Sequence, residues 1–386
     1  MNNLQHLKNR VPSIDILRGI VILLMLVDHV RERVFLHQQV ADPMNIDETS
    51  SALFFTRLMA HFCAPVFIFL TGLSAWLYAN PINKPQRDVR AFLLKRGLFI
   101  IFLEITLVNL SWFGNYNALY LQVMWAIGLC MITLAVLTLL SHRVIGILGI
   151  LIIFGHNALD FITFKPDEIG YSLWTILHDR GFLYVGEGAS DAFKVKVSYP
   201  TLPWIGVICL GYYVAPLFSA SVDSKKRVQT LFKLGAFSLV SLLAVRLLNV
   251  YLEPVPWSIY DSWLLTVQSF VNFTKYPPSL GFLLFTLGTA FIVLALVEKA
   301  NATKMNFLRH YGSAPMFFYL AHLYVLLALY TVLVAIYGTN KGVYFGVDHV
   351  WQVWAISVVL SILLYWPTKA FSNFKKTTKL AWVKYF

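Results

Sequence analysis

The chain is predicted to be an all-α integral membrane protein, a polytopic bundle of about ten transmembrane helices with both termini cytoplasmic. Three observations carry that prediction: the composition, the recurrence of apolar runs of bilayer length, and the uneven placement of basic residues. Of the 386 residues 58% are hydrophobic and 16% aromatic, while only 13% are charged, which excludes an ordinary soluble domain. The formal net charge of +12 would suggest nucleic acid in a soluble protein. Here the basic residues fall in short connections between apolar runs, so the charge is a topology signal and no nucleic-acid function is read from it.

A hydrocarbon core about 30 Å thick needs roughly 20 apolar residues per helix. On that criterion the spans are approximately 14–34, 54–78, 92–112, 119–140, 143–164, 201–220, 232–251, 279–298, 314–337 and 347–369, within a single transmembrane domain covering 1–386. The fourth and fifth are joined by the turn Ser141-His142-Arg143, which forces them to be antiparallel neighbours.

Orientation follows from the connections. With the N-terminus inside, twenty of the 31 Lys and Arg residues fall on the cytoplasmic side, beginning with Lys8 and Arg10 and ending with Lys384. Eight fall outside (Arg31, Arg33, Lys165, Arg180, Lys194, Lys196, Lys275, Lys341), and Arg18, Arg57 and Arg246 lie within spans. This positive-inside bias sets both termini in the cytoplasm, and the expected location is the inner membrane of the cell. The first apolar run carries Asp15 and Arg18 at its start and lacks a small-residue cleavage site after it, so it is read as a retained helix. Cys63, Cys130 and Cys209 each lie inside an apolar run without paired spacing, which indicates packing rather than a disulfide or a zinc site.

Three outer connections are long, about 35–53, 165–200 and 252–278. The second is rich in Gly and acidic residues, Gly186, Glu187, Gly188 and Asp191 among them, and the third in Pro and aromatics. Such loops can cover a polar site or serve as spacers. Trp257, Tyr260 and Glu187 are the candidates there for contact with an outside ligand.

An ionisable side chain at membrane depth costs on the order of 3 kcal/mol and asks for a partner or a watery cavity. Arg18 and His29 stand eleven residues apart on the first span, three turns and ~16 Å of rise, so they project from nearly the same face at different depths. His61, on the antiparallel second span, is expected at a depth similar to His29. Glu104, Asn109, His156, Asp160, Arg246, Asn249 and His322 add polar groups to later spans. Each alone is read as a buried polar residue satisfied by a neighbouring helix. Together they imply a hydrated cavity open to the outside, with Arg18 marking a polar path from the inside. A carrier needs that arrangement, and so does an enzyme that takes an activated group from the cytoplasm and hands it to an outside acceptor. Acyl transfer to a sugar hydroxyl or amine needs a base near neutral pKa, which imidazole supplies. Asp28 adjoins His29, although helix neighbours point about 100° apart, and Asp160 and Glu104 are rival partners. No metal motif is present: the histidines lack i, i+4 pairing with one another.

The run Ser13-Ile-Asp-Ile-Leu-Arg-Gly-Ile-Val-Ile-Leu-Leu-Met-Leu-Val-Asp-His29 resembles the first catalytic-domain helix of the heparan-alpha-glucosaminide N-acetyltransferase family and its bacterial relatives. Arg18 and His29 match both positions of the Arg, ten residues, His pattern that the wider membrane acyltransferases, acyltransferase family 3 included, carry on this helix. Pro65-Val-Phe-Ile-Phe-Leu-Thr-Gly72, Tyr199-Pro-Thr-Leu-Pro-Trp-Ile-Gly206, Lys275-Tyr-Pro-Pro-Ser279 and Arg309-His-Tyr-Gly-Ser-Ala-Pro315 also look like the bacterial relatives. The resemblance implies acetyl-CoA or another acyl-CoA as donor substrate, with no permanently bound cofactor, and a glycan or glycolipid acceptor on the outer side. Arg18, Arg96 and Arg309 are the candidates for the donor's phosphates, since arginine forks match phosphate oxygens. The lysosomal enzyme has Asn where His29 stands, and that family's proposed catalytic His follows the helix. The catalytic base is therefore sought among His29, His37 and His61. The rival reading is a permease or flippase of a sugar-like solute or lipid-linked glycan, to which the absence of paired broken helices in the two halves runs counter.

Overall fold

The computed structural model describes residues 11–82, 84–185, 193–249, 251, 253–300 and 302–386. Lys8, Arg10, Gly186, Glu187, Gly188 and Asp191 lie outside the described residues. Contacts divide the chain into two compact units: Met1–Pro12, Ala64–Pro254 and Phe273–Lys299 form one, and Ser13–Cys63, Val255–Asn272 and Ala300–Phe386 form the other.

Helices occupy all ten apolar runs. In chain order they begin with α1 (Pro12–Val34), which has proline where its missing N–H costs nothing, then α2 (Ser51–Ala60) and α3 (Cys63–Ala79). The expected single span 54–78 is broken at His61-Phe62, because Pro65 can neither donate to the carbonyl four residues back, that of His61, nor sit beside it without a clash. Next come α4 (Arg90–Leu103), a π-turn (Glu104–Val108) and α5 (Asn109–Phe113), which together fill the third run. The fourth run begins later than expected. Strand β1 (Ala118–Leu121) precedes α6 (Val123–Leu137), and Glu104 accepts hydrogen bonds from the Met124 and Trp125 amides, doing for α6 what its cap residue Gln122 does not.

Helix α7 (His142–Gly155) is capped by Ser141 and α8 (Tyr171–Leu177) lies in the long connection, followed by β2 (Gly181–Val185) and β3 (Phe193–Val197). The three strands pair in the order β1-β3-β2, with β1 parallel and β2 antiparallel to β3. This sheet is the departure from an all-helical expectation: β2 and β3 lie in the connection 165–200, and β1 at the start of the expected span 119–140. After it run α9 (Leu202–Val214), α10 (Ser224–Leu248), α11 (Trp263–Val271), α12 (Leu280–Lys299), α13 (Asn306–Ser313), α14 (Pro315–Tyr337) and α15 (Val350–Thr377).

Among the described residues, six helical stretches are long and apolar enough to cross a membrane: Ser51–Ala79, His142–Leu159, Ser224–Leu248, Leu280–Lys299, Pro315–Tyr337 and Val350–Thr377. The protein is therefore a mostly helical, multi-pass membrane protein. Within the first unit, helices meet at glycines: a Cβ on Gly72 would lie 2.0 Å from the Ile208 carbonyl oxygen, and one on Gly211 2.0 Å from that of Phe69. Backbone-to-backbone approach through small residues is how helices pack where lipid removes the hydrophobic driving force.

Candidate functional site

In the second unit α1 crosses α13 with the two backbones in contact. A Cβ on Gly312 would sit 1.8 Å from the Asp15 carbonyl oxygen, and one on Gly19 2.1 Å from that of Leu308. Arg18 is fixed at this crossing. Its Nη1 donates to Asp15 Oδ1 at 2.9 Å and to the Gly312 carbonyl at 3.0 Å, and the pair is largely buried, with side-chain exposures of 14% and 6%. The position after Arg18 must be glycine for α13 to come near enough for the second bond.

Further along α1 lies a buried ionic network. Arg31 Nε donates to Asp28 Oδ1 at 3.0 Å, with Nη2 in ion-pair contact with the same oxygen at 2.9 Å, Arg57 Nη1 donates to Asp28 Oδ2 at 2.8 Å, and Arg31 Nη2 also reaches Glu32 Oε1 at 3.0 Å. Asp28 and the more exposed Glu32 offset the two arginines, which is what permits Asp28, Arg31 and Arg57 to be buried at all. Both Asp28 oxygens are thus bound by guanidinium groups.

The neighbouring His29 meets a different partner. Its Nδ1 lies 2.7 Å from Nε2 of His322 on α14, the two rings inclined by 15°, and His322 Nδ1 lies 2.7 Å from the Phe318 carbonyl one turn earlier. Tyr319 packs edge-on against both imidazoles, at 5.8 and 5.6 Å, and Phe318 stacks on His322 at 5.3 Å. His322 is fully buried and His29 only partly. A carbonyl oxygen can only accept, so His322 Nδ1 carries the proton and its Nε2 a lone pair. His29 Nδ1 must then be the donor to it. In a neutral His29 the remaining lone pair is on Nε2, the form a general base requires.

The other candidates are placed as follows. His61 is buried, 1% exposed, at the break between α2 and α3. His37 follows the end of α1 in a loop, packed on Phe35 and against Gly346, where an added Cβ would come 2.6 Å from its Nδ1. Burial and the Lys341 ammonium hold His37 below its ordinary pKa. Arg309, on α13, donates to Asn306 at 2.9 Å. Arg18, Asp28, His29, His37, His61 and Arg309 all belong to the second unit, whereas Arg96 is in the first, its guanidinium 5.9 Å from the Phe92 ring centre. Trp257 packs on Phe270 and the Tyr260 amide donates to Thr266, within the second unit.

Three polar residues of the first unit's spans are bound to backbone groups. Asn109 donates to the Glu104 and Tyr120 carbonyls and accepts from the Tyr120 amide, Glu104 caps α6, and His156 faces the Ile152, Ile153 and Pro278 carbonyls. The residue the sequence undervalued is His322: it was visible as a histidine in the ninth span, but nothing local ties it to a residue 293 positions away.

The chain is 28% identical over 194 residues to the "Uncharacterized MFS-type transporter YbcL" of Bacillus subtilis (strain 168), a match covering 47% of this chain and 49% of that protein. The chain thus spans about half the length of the curated relative it matches. Residues 10–256, which include α1 with Arg18 and His29, match the model for the catalytic region of heparan-alpha-glucosaminide N-acetyltransferase, and the chain belongs to that family.

Proposed function

We propose that this protein is a membrane acyltransferase that moves an acetyl or other acyl group from cytoplasmic acyl-CoA to a sugar hydroxyl or amine of a glycan or glycolipid on the opposite side of the bilayer. The family supports an acetyltransferase, and the observation that carries the rest is the Phe318-His322-His29 chain of hydrogen bonds, which leaves a lone pair on His29 Nε2. In the proposed reaction the acceptor oxygen or nitrogen attacks the thioester carbonyl while His29 Nε2 takes its proton. The C–S bond then breaks, and the departing coenzyme A thiolate takes the proton back. His322 holds the tautomer and the ring, as a buried carboxylate does in hydrolytic triads. Arg18, with Arg309 of the same unit, is assigned to the donor's phosphates; Arg96 belongs to the other unit and is given no part in that site.

The protein is proposed to cross the cytoplasmic membrane ten times, with both ends inside. The Ser141 turn between α6 and α7 and the excess of basic residues on one side support this count and orientation. His37 and His61 remain the alternative bases.

The rival reading is a carrier, and the transporter name of the Bacillus relative favours it over part of the chain. Purified protein in proteoliposomes, given radiolabelled acetyl-CoA and a mixed glycan acceptor, tests both. Saturable CoA binding with label transferred to the glycan supports the enzyme. No saturable CoA binding, together with solute uptake in the absence of any acyl donor, overturns it.

A further inference from the structure

The register of the three-stranded sheet places Tyr120 opposite Lys196 and Lys196 opposite Phe182, and on the next row Ala118 opposite Lys194 and Lys194 opposite Tyr184. Residues directly opposite one another share a face, so one face of the sheet presents alternating aromatic rings and ammonium groups. The Lys196 ammonium lies 5.2 Å from the Phe182 ring centre, as that register requires. This is the more open face: Tyr184 is 50% exposed and Lys194 exposed, while Leu121 and Val197 on the other face are buried. Arg180, just before β2, extends the row. Its guanidinium lies 4.8 Å from the Tyr276 ring centre, and after burial it is the Arg180 charge that pulls the Lys196 ammonium below its ordinary pKa.

Arg180, Lys194 and Lys196 have no carboxylate within ion-pair distance among the described residues, and the strands themselves contain no acid. With no counter-ion among the described residues, like charges held this close favour an anion from outside the chain. The exposed Tyr184 ring and the half-buried Phe182 ring beside them suit the C–H faces of sugar rings, and a bare phosphate has no use for such rings.

We propose that this face of the sheet is a binding platform for an acidic glycan, with Tyr184 and Phe182 seating sugar rings and Arg180, Lys194 and Lys196 pairing with carboxylate or phosphate groups along it. It would hold the acceptor chain, and in that respect rests on the acyltransferase reading, but binding itself does not depend on transfer.

The test is titration of the full-length protein in neutral detergent with a hexamer of galacturonic acid, and with its methyl-esterified, uncharged counterpart. The acid hexamer should bind saturably and weaken as salt screens the charges. Each of Arg180→Gln, Lys194→Gln and Lys196→Gln should weaken it about two- to fivefold, and the triple variant at least tenfold, as for partly exposed ion pairs. Tyr184→Leu should weaken both hexamers while leaving thermal stability unchanged, since its ring is half exposed. Equal affinity for both hexamers, or an unchanged affinity in the triple variant, overturns the platform. So does preferential binding of vesicles containing phosphatidylglycerol that displaces the hexamer, which would make the face a lipid contact. Lost hexamer binding with acyl transfer to a neutral acceptor intact removes only the platform. Hexamer binding without any acyl transfer removes only the enzymatic reading.

Discussion

His29 Nδ1 and His322 Nε2 are 2.7 Å apart, and the Phe318 carbonyl behind His322 fixes which of them donates. The arrangement differs from the one the sequence suggested for His29, in which its neighbour Asp28 was the nearest orienting group. Asp28 is bound by Arg31 and Arg57, and the side chain at hydrogen-bond distance from His29 Nδ1 is an imidazole from α14.

His29→Ala is expected to lower kcat for acyl transfer by about 10² to 10⁴, the usual worth of general-base help, with acyl-CoA affinity close to normal. His322→Ala should lower kcat by about tenfold or more without changing KM for acyl-CoA, and His322→Gln, whose amide oxygen can still accept from His29 Nδ1, should recover part of the loss. A merely structural His322 would show no such recovery. Near-normal turnover in a well-folded His29→Ala protein would move the role to His37, to be examined by the same substitution.

Arg18 combines two duties that a double variant can separate. Arg18→Ala leaves Asp15 buried without its guanidinium partner, which should cost about 3 kcal/mol, near the low end for breaking a buried pair because Arg18 keeps 14% of its exposure. Asp15→Asn in the same chain should restore most of the thermal stability. It should not restore acyl-CoA affinity. Recovery of both would mean that Arg18 serves only the α1–α13 crossing.

The eleven-residue interval between Arg18 and His29 singles out two groups of the candidate site, because helix geometry alone puts them on one face. The ionic network and His322 were not legible: Arg57 is 29 residues from Asp28 and His322 is 293 from His29, and linear pattern is silent at such separations. Glu104 and Asn109 were visible as polar residues at membrane depth. What hid their use was that their partners are backbone groups, the amides of Met124, Trp125 and Tyr120, which every residue possesses. The sheet had a signal in Phe193-Lys-Val-Lys-Val197, whose strict alternation marks a strand.

The His178 ring should make stability depend on pH. It is buried, which lowers its pKa, but hydrogen bonds to Asp160, Asp179 and the His156 carbonyl outweigh burial and raise it above 6.5. A raised folded-state value means the imidazolium contributes stability fully below pH 6.5, and that contribution fades as pH rises through the folded value. Melting temperature in detergent is expected to fall as pH rises above about 6.5, the ordinary imidazole value. His178→Gln should lower it at acid pH and flatten that slope; an unchanged slope would show that the ring does not titrate in this window.

Topology can be read directly. Reporter fusions at Val222 and after Lys379 should both report the cytoplasm, and one at Asp167 the opposite side, since basic residues near span ends fix orientation. A cytoplasmic reporter at Asp167 would place the β-sheet and its lysines on the donor's side of the membrane and remove the acceptor platform with it.

The glycines of the α1–α13 crossing provide the sharpest structural prediction. At Gly312 an added Cβ would meet the Asp15 carbonyl oxygen at 1.8 Å, and at Gly19 the Leu308 carbonyl oxygen at 2.1 Å. Both obstacles are backbone, so the helices must separate rather than a side chain turn aside. Gly312→Ala is expected to cost about 3 kcal/mol, the upper part of the range for overpacking, because no rotamer change relieves it. Separation also draws the Gly312 carbonyl from Arg18, which donates to it at 3.0 Å, so acyl-CoA affinity should fall in the same variant. Gly211→Ala, whose Cβ would meet the Phe69 carbonyl oxygen at 2.0 Å within the other unit, provides the control. It should destabilise by a similar amount without a specific loss of acyl-CoA affinity in the protein that remains folded. If both variants lost affinity in proportion to folded protein alone, the crossing would hold the fold together and have no part in presenting Arg18 to the donor.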